Sequence, residues 1–130
     1  MRVVPTIKLF DCLIVPIQIE LNDSTVEKIQ NQILNEIEKL GINTLIIDVS
    51  TIDVIDSYIS YMLLETANMV KMMGCDTFIC GIQPQVALTL AQMGIDLKGI
   101  NFAQDLEGAF KLIKRMRGNS YEGKGIFDRD

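Results

Sequence analysis

The sequence predicts one α/β domain built on a mixed β-sheet, with an N-terminal hairpin and four main helices. Three observations predict it. Short apolar runs alternate with longer stretches of helical period, the pattern of strands joined by helices. The first two runs, Val3 to Phe10 and Cys12 to Ile19, are parted only by Asp11, which leaves room for a tight antiparallel turn but not for a helix. The third observation is Leu45-Ile46-Ile47, apolar on both faces as in a central strand covered on either side, by helices or by helices and a partner.

Taken in order, the chain reads β-β-α-β-α-β-α-(β)-α. Pro16 lacks an N–H and suits an edge or irregular part of its strand. Asn22-Asp23-Ser24 starts a helix, and Ser24 with Glu27 matches a capping box. Val26, Ile29, Ile33, Ile37 and Leu40 form its apolar stripe, and Gly41 ends it. After the central strand, a helix from near Ser57 turns Ile59, Met62, Leu63, Thr66, Ala67, Val70 and Met73 to one side and stops at Gly74.

Phe78-Ile79-Cys80 is the next strand. Pro84 opens a short helix at the position where its missing N–H has no intrahelical partner to lose. Val86, Ala87, Leu90 and Met93 give that helix its apolar face, and Gly94 closes it. Ile100 to Phe102 adds a brief strand, and Asp105 caps a final helix with Leu106, Ala109, Phe110, Ile113 and Met116 inward. Connections between the parallel strands are expected to be right-handed. The domain is expected over 1–117 and a flexible tail over 118–130, where glycine and charge replace any period.

Composition narrows the chemistry. The 130 residues fit a single core. No apolar stretch reaches the roughly 20 residues of a membrane span, and no signal-like leader is visible, so a cytoplasmic place and no membrane partner are expected. A net charge of −5 argues against nucleic acid and anionic lipid as partners. The basic cluster Lys111, Lys114, Arg115 and Arg117 reads as cations favoured at a helix C-terminus. Cys12, Cys75 and Cys80 have no metal-site spacing and read as buried thiols.

The absence of histidine excludes imidazole-based hydrolases and histidine zinc sites. Without a GxxxxGK[ST] or GxGxxG loop, no nucleotide cofactor is expected. Neither is a metal: as a phospho-acceptor of receiver type, Asp48 would need a cation-holding acid cluster, and Asp11 and Glu20 stand without a second acid beside them in sequence. Asp48 reads instead as a strand-end group meeting loop N–H groups.

Candidate function concentrates in Asp53-Val54-Ile55-Asp56-Ser57-Tyr58-Ile59-Ser60, where Asp48, Asp53, Asp56 and Ser57 are expected to collect at one end of the sheet. By residue chemistry alone, Asp56 or Ser57 is an ordinary helix cap. A small metabolic enzyme using the Asp53/Asp56/Ser57 loop as an acid/base site is the alternative from another class.

The element order, Ile46-Ile47-Asp48-Val49 before an Asp-Ser helix start, and Gly81-Ile82-Gln83-Pro84 together resemble the STAS domain of bacterial anti-sigma-factor antagonists. Ile17-Gln18, Asp53 to Ile59, Lys71-Met72-Met73-Gly74 and Gly81 to Ala87 are similar to the RsbS-type stressosome proteins. The resemblance implies that Ser57 is phosphorylated by a partner serine kinase, with Asp56 and Asp53 as neighbouring recognition residues. Many simpler antagonists carry glycine where this chain has Ile59. It further implies a non-enzymatic, stress-signalling scaffold that packs with itself and with RsbR-type co-antagonists in a large assembly. Such a scaffold holds an RsbT-type kinase while unphosphorylated and releases it once phosphorylated.

Overall fold

The structure, a computed structural model, describes residues 2–118. The tail expected over 118–130 therefore lies outside the described residues from 119 onward.

Five strands form one sheet in the order β1-β2-β3-β4-β5: β1 Ile7–Leu9, β2 Cys12–Pro16, β3 Thr44–Asp48, β4 Asp76–Cys80 and β5 Ile100–Ala103. The opening pair is the expected antiparallel hairpin, with Ile7 opposite Ile14, and every later pair is parallel. The helices are α1 Asp23–Leu40, α2 Ser57–Met72, α3 Pro84–Met93 and α4 Leu106–Arg117.

Strands that follow one another in space as in sequence, joined by crossovers of one hand, place their helices on one face. On that face Ile29, Ile33 and Ile37 of α1 and Ala67 and Val70 of α2 pack against Leu13, Val15, Leu45, Ile47 and Ile79. The alternate strand positions Cys12, Ile14, Ile46, Phe78 and Cys80 face the other way and meet Ala109 and Ile113 of α4. Helices cover β3 on both sides, as its unbroken apolar run requires.

Val86 and Leu90 of α3 join Ile55, Ile59 and Met62 in a smaller cluster under the start of α2. Cys12, Cys75 and Cys80 are free and buried. Burial is the main reason their thiols are pushed up from 9.0, to about 11, about 12 and about 11 respectively.

Several boundaries differ from expectation, each for a local reason. The capping box of α1 is Asn22 with Thr25, not Ser24 with Glu27: Asn22 Oδ1 accepts from Thr25 N at 3.0 Å, and Thr25 Oγ1 accepts from Asn22 N at 2.9 Å. Val3 and Val4 precede β1 because the buried Gln32 amide takes their place in a ladder, bonding Val3 N, Val4 N and Val4 O.

Leu40 is exposed and Ile42 buried instead, since Gly41 turns the chain at φ 66° and Ile42 N returns to Ile37 O. Met73 is exposed for a similar reason, and Cys75 enters the core after it. Met116 is exposed because the inward stripe of α4 continues from Ile113 to Arg117, four residues on. Arg117 bonds Asp11 Oδ2 at 2.8 Å and also Thr44 Oγ1, fastening α4 to the hairpin turn. Ala87, expected inward on α3, is exposed.

Candidate functional site

The site begins where β3 ends. Asp48 Oδ1 accepts from Ser50 N at 3.0 Å and Ile52 N donates to Val49 O at 3.0 Å, so the chain turns sharply out of the sheet. Ile52 and Ile55 bury their side chains in the turn that follows. Thr51 Oγ1 donates to Ile17 O at 2.7 Å, and Gln83 Nε2 donates to Ser50 O at 2.7 Å. Gln83 is the N-cap of α3, yet its side chain makes no cap hydrogen bond and reaches this loop instead.

The loop also presses on Gly81. That residue has φ +82°, and a Cβ there would lie 2.8 Å from Ser50 Cβ. Glycine is required by backbone conformation and by space at once. The segment from Val49 to Asp56 is thus fixed by two anchoring isoleucines, three side-chain hydrogen bonds and one close approach.

At the end of the loop Asp56 is the N-cap of α2, with extended backbone, and its Oδ1 accepts from Ile59 N at 2.8 Å. Its carbonyl accepts from Ser60 N at 3.1 Å and from Ser60 Oγ at 2.8 Å. Because Asp56 supplies the cap, Ser57 does not have to. Ser57 is the first residue of α2, exposed, and its hydroxyl makes no hydrogen bond among the described residues. Of the two ordinary cap candidates, one does the structural work and the other is left with a free hydroxyl at the positive end of a helix.

Asp53 and Asp56, both exposed, come together on a cleft of about 370 Å³ between residues 18–21 and the loop. Glu20 and Gln18 line its opposite side, and Val54, 78 % exposed, stands at its lip. Asp48 does not join them, since its carboxylate is committed to its own turn and lies under Gly81. The expected gathering of three acids around Ser57 is therefore a pair, with Glu20 as the third acid on the cleft.

Sequence reasoning missed two neighbours. Tyr58 OH donates to Glu27 Oε2 at 3.0 Å, tying the first turn of α2 to α1, and that bond to a carboxylate is the main cause of a raised phenol pKa. Ser60 Oγ also points at Met93 Sδ, 3.6 Å away. No periodicity signals either contact, because each joins residues about thirty apart. Among the described residues, no group of three or more His, Cys, Asp or Glu side chains could hold a metal ion. None of the described helices is long and apolar enough to cross a membrane.

Comparison with known proteins gives this geometry a family. The model for the STAS domain matches residues 3–109. A solved structure of Moorella thermoacetica RsbS, as a serine-to-glutamate variant, superposes with a TM-score of 0.77 at 32 % identity, covering 90 % of this chain and 100 % of that one. A structure described as the molecular architecture of the stressosome, a signal integration and transduction hub, matches with a TM-score of 0.76 at 31 % identity, covering 87 % of this chain and 98 % of the other. The RsbT co-antagonist protein RsbRD of Bacillus subtilis is 26 % identical over 96 residues, which are 74 % of this chain and 34 % of that protein. The chain thus spans about a third of the length of the curated relatives it matches. With the expected sheet, hairpin and helices all present and the family model matching from the hairpin into α4, the chain belongs to the STAS-domain family.

Proposed function

We propose that this chain is an RsbS-type antagonist of a stressosome: a non-enzymatic scaffold that holds an RsbT-type serine kinase and lets it go when Ser57 is phosphorylated. The observation that carries the reading is the exposed, unengaged Ser57 hydroxyl directly after the Asp56 cap. The 32 % identity to RsbS, against 26 % to RsbRD, supports this type over the RsbR type. RsbR-type co-antagonists are the proposed partners in assembly, and the cytoplasm is the proposed location.

The physical case is one of unequal balances. A phosphate brings roughly −1.5 to −2 charges and strong acceptors to a helix N-terminus, where free N–H groups and the helix dipole favour it by about 0.3 to 2 kcal/mol. Asp56 opposes it, an effect that solvent screens because both residues are exposed. Against a partner's surface the same dianion loses hydration unless a cation meets it, at a cost of several kcal/mol. The phosphate is tolerated by the domain and felt by the complex. Asp53 and Asp56, which line the cleft along the loop that leads to Ser57, are the residues proposed to position the kinase.

Incubating the chain with its cognate kinase and ATP, followed by intact mass and peptide mapping, tests the assignment. One phosphate on Ser57 is expected, and a Ser57→Ala chain labelled as fully as the wild type would overturn it.

A further inference from the structure

The four side chains in the first turn of α2 have different surroundings. Ile59 is 4 % exposed and clusters with Val26 of α1 and Val86 of α3, and Ser60 Oγ donates to Asp56 O at 2.8 Å. Tyr58 reaches sideways to α1, its OH donating to Glu27 Oε2 at 3.0 Å. The exposed Ser57 hydroxyl alone makes no bond among the described residues. The turn is held from below by the core and from the side by α1, and it carries Ser57 on its open surface.

The sideways tie is the one that the core does not need. Midway along the helix pair, Gln30 Nε2 donates to Thr66 Oγ1 at 3.0 Å, a buried bond that fastens α1 to α2. That bond and the apolar cluster keep the helices together whether or not Tyr58 has its hydroxyl. The Tyr58–Glu27 bond lies at the surface, about two turns nearer the start of α2, so breaking it leaves no buried polar group without a partner. What it fixes is the helix end that carries Ser57. Above all the bond to Glu27, and further the nearby charges of Asp23 and Glu65, raise the phenol pKa from 10.0, so the OH stays a donor at neutral pH.

We propose that Tyr58 and Glu27 are positioning residues for the phosphorylation of Ser57: their bond holds the first turn of α2 against α1, so the kinase meets the hydroxyl at a fixed place on a folded surface. The proposal rests on the reading of Ser57 as the phosphorylated residue. In that step the Ser57 oxygen bonds to the γ-phosphorus of ATP, and the bond from that phosphorus to the bridging oxygen breaks. The hydroxyl proton passes to a base of the kinase, and ADP leaves. Transfer needs the attacking oxygen in line at near-attack distance, and an acceptor misplaced by about 1 Å loses up to about 100-fold in rate. Tyr58 and Ser57 are neighbours in one turn, so freeing the first loosens the second.

Steady-state phosphorylation of the full chain by the cognate serine kinase and ATP tests it, with the phosphate located by peptide mapping and unfolding temperatures taken in parallel. Tyr58→Phe keeps the ring and loses the donor, and Glu27→Ala loses the acceptor. Each is expected to lower kcat ~3–10-fold, with KM and unfolding temperature little changed. Glu27→Gln keeps an oxygen that accepts the bond and is expected to stay within ~2-fold of the wild type. The double variant Tyr58→Phe/Glu27→Ala falls no further than either single one, since all three lose the same bond. Tyr61→Phe, the same change at an exposed tyrosine one turn on, leaves the rate as it is. A Tyr58→Phe chain phosphorylated on Ser57 as fast as the wild type overturns this inference alone. So do losses that multiply in the double variant, a loss confined to KM, an equal loss in Tyr61→Phe, or a Glu27→Gln chain as slow as Glu27→Ala. A wild type that takes no phosphate on Ser57 overturns the reading of the site, and this inference with it.

Discussion

Replacing Asp56 by alanine tests the separation of cap from switch most sharply. The substitution removes the acceptor 2.8 Å from Ile59 N, and the first turn of α2 contains no other acid to replace it. Loss of an N-cap costs about 1 kcal/mol, and loss of a negative charge at a helix N-terminus adds about 0.5 kcal/mol. The total of ~1.5 kcal/mol lowers the unfolding midpoint by roughly 4–8 °C for a domain of this size. Asp56→Asn keeps an oxygen for Ile59 N and loses only the charge, so about 0.5 kcal/mol is expected. Thermal and urea unfolding of the three chains, followed by circular dichroism, reads both numbers. An Asp56→Ala chain as stable as the wild type, or an Asn chain as weak as the Ala chain, would refute the assignment of the cap to Asp56.

Three further outcomes follow from the fold. Gly81→Ala should cost more than Gly74→Ala in urea unfolding: both have positive φ, worth about 1–2 kcal/mol in a left-handed residue, but only at Gly81 would the new Cβ also strike Ser50, at 2.8 Å. The thiols give a pH dependence. With folded values raised to about 11 or 12 from 9.0, the folded state keeps protons that the unfolded state gives up above 9.0. Stability is therefore complete below pH 9 and falls as pH rises from there towards 11, by up to about 1.4 kcal/mol per pH unit for each thiol. Urea midpoints across that range check it, and a Cys75→Ala chain should show a shallower decline. The Arg117–Asp11 pair, three-quarters or more buried on each side, should contribute about 1–2 kcal/mol in a double-mutant cycle, because each partner holds charge-assisted hydrogen bonds.

Much of the fold was legible because the apolar runs have lengths and periods that few other arrangements satisfy. Leu45-Ile46-Ile47 read as a covered central strand, and Gly41, Pro84, Gly94 and Asp105 marked helix ends by their own chemistry. The errors lie where two similar residues compete within one turn. Asn22 took the cap from Ser24, Ile42 the core place of Leu40, and Arg117 the inward position of Met116. At the site, Asp56 and Ser57 were each acceptable caps by residue type. Only the geometry divided their roles, and only the geometry put Glu20 on the cleft and turned Asp48 away from it. The links from Gln83 to Ser50 and from Tyr58 to Glu27 join distant parts of the chain, and nothing in the local sequence announces them.

The central claim is that phosphate on Ser57 weakens the hold on the kinase without unfolding the domain. Its most direct measurement is calorimetric titration of a non-hydrolysing kinase–nucleotide complex into the chain, unphosphorylated and stoichiometrically phosphorylated on Ser57, with unfolding temperatures taken in parallel. The account predicts that phosphorylation lowers affinity by ~10-fold or more, since each ~1.4 kcal/mol of lost hydration or repulsion is a factor of ten, while the unfolding temperature changes little. Equal affinity for the two forms, or a loss of affinity that tracks unfolding of the phosphorylated chain, would contradict it.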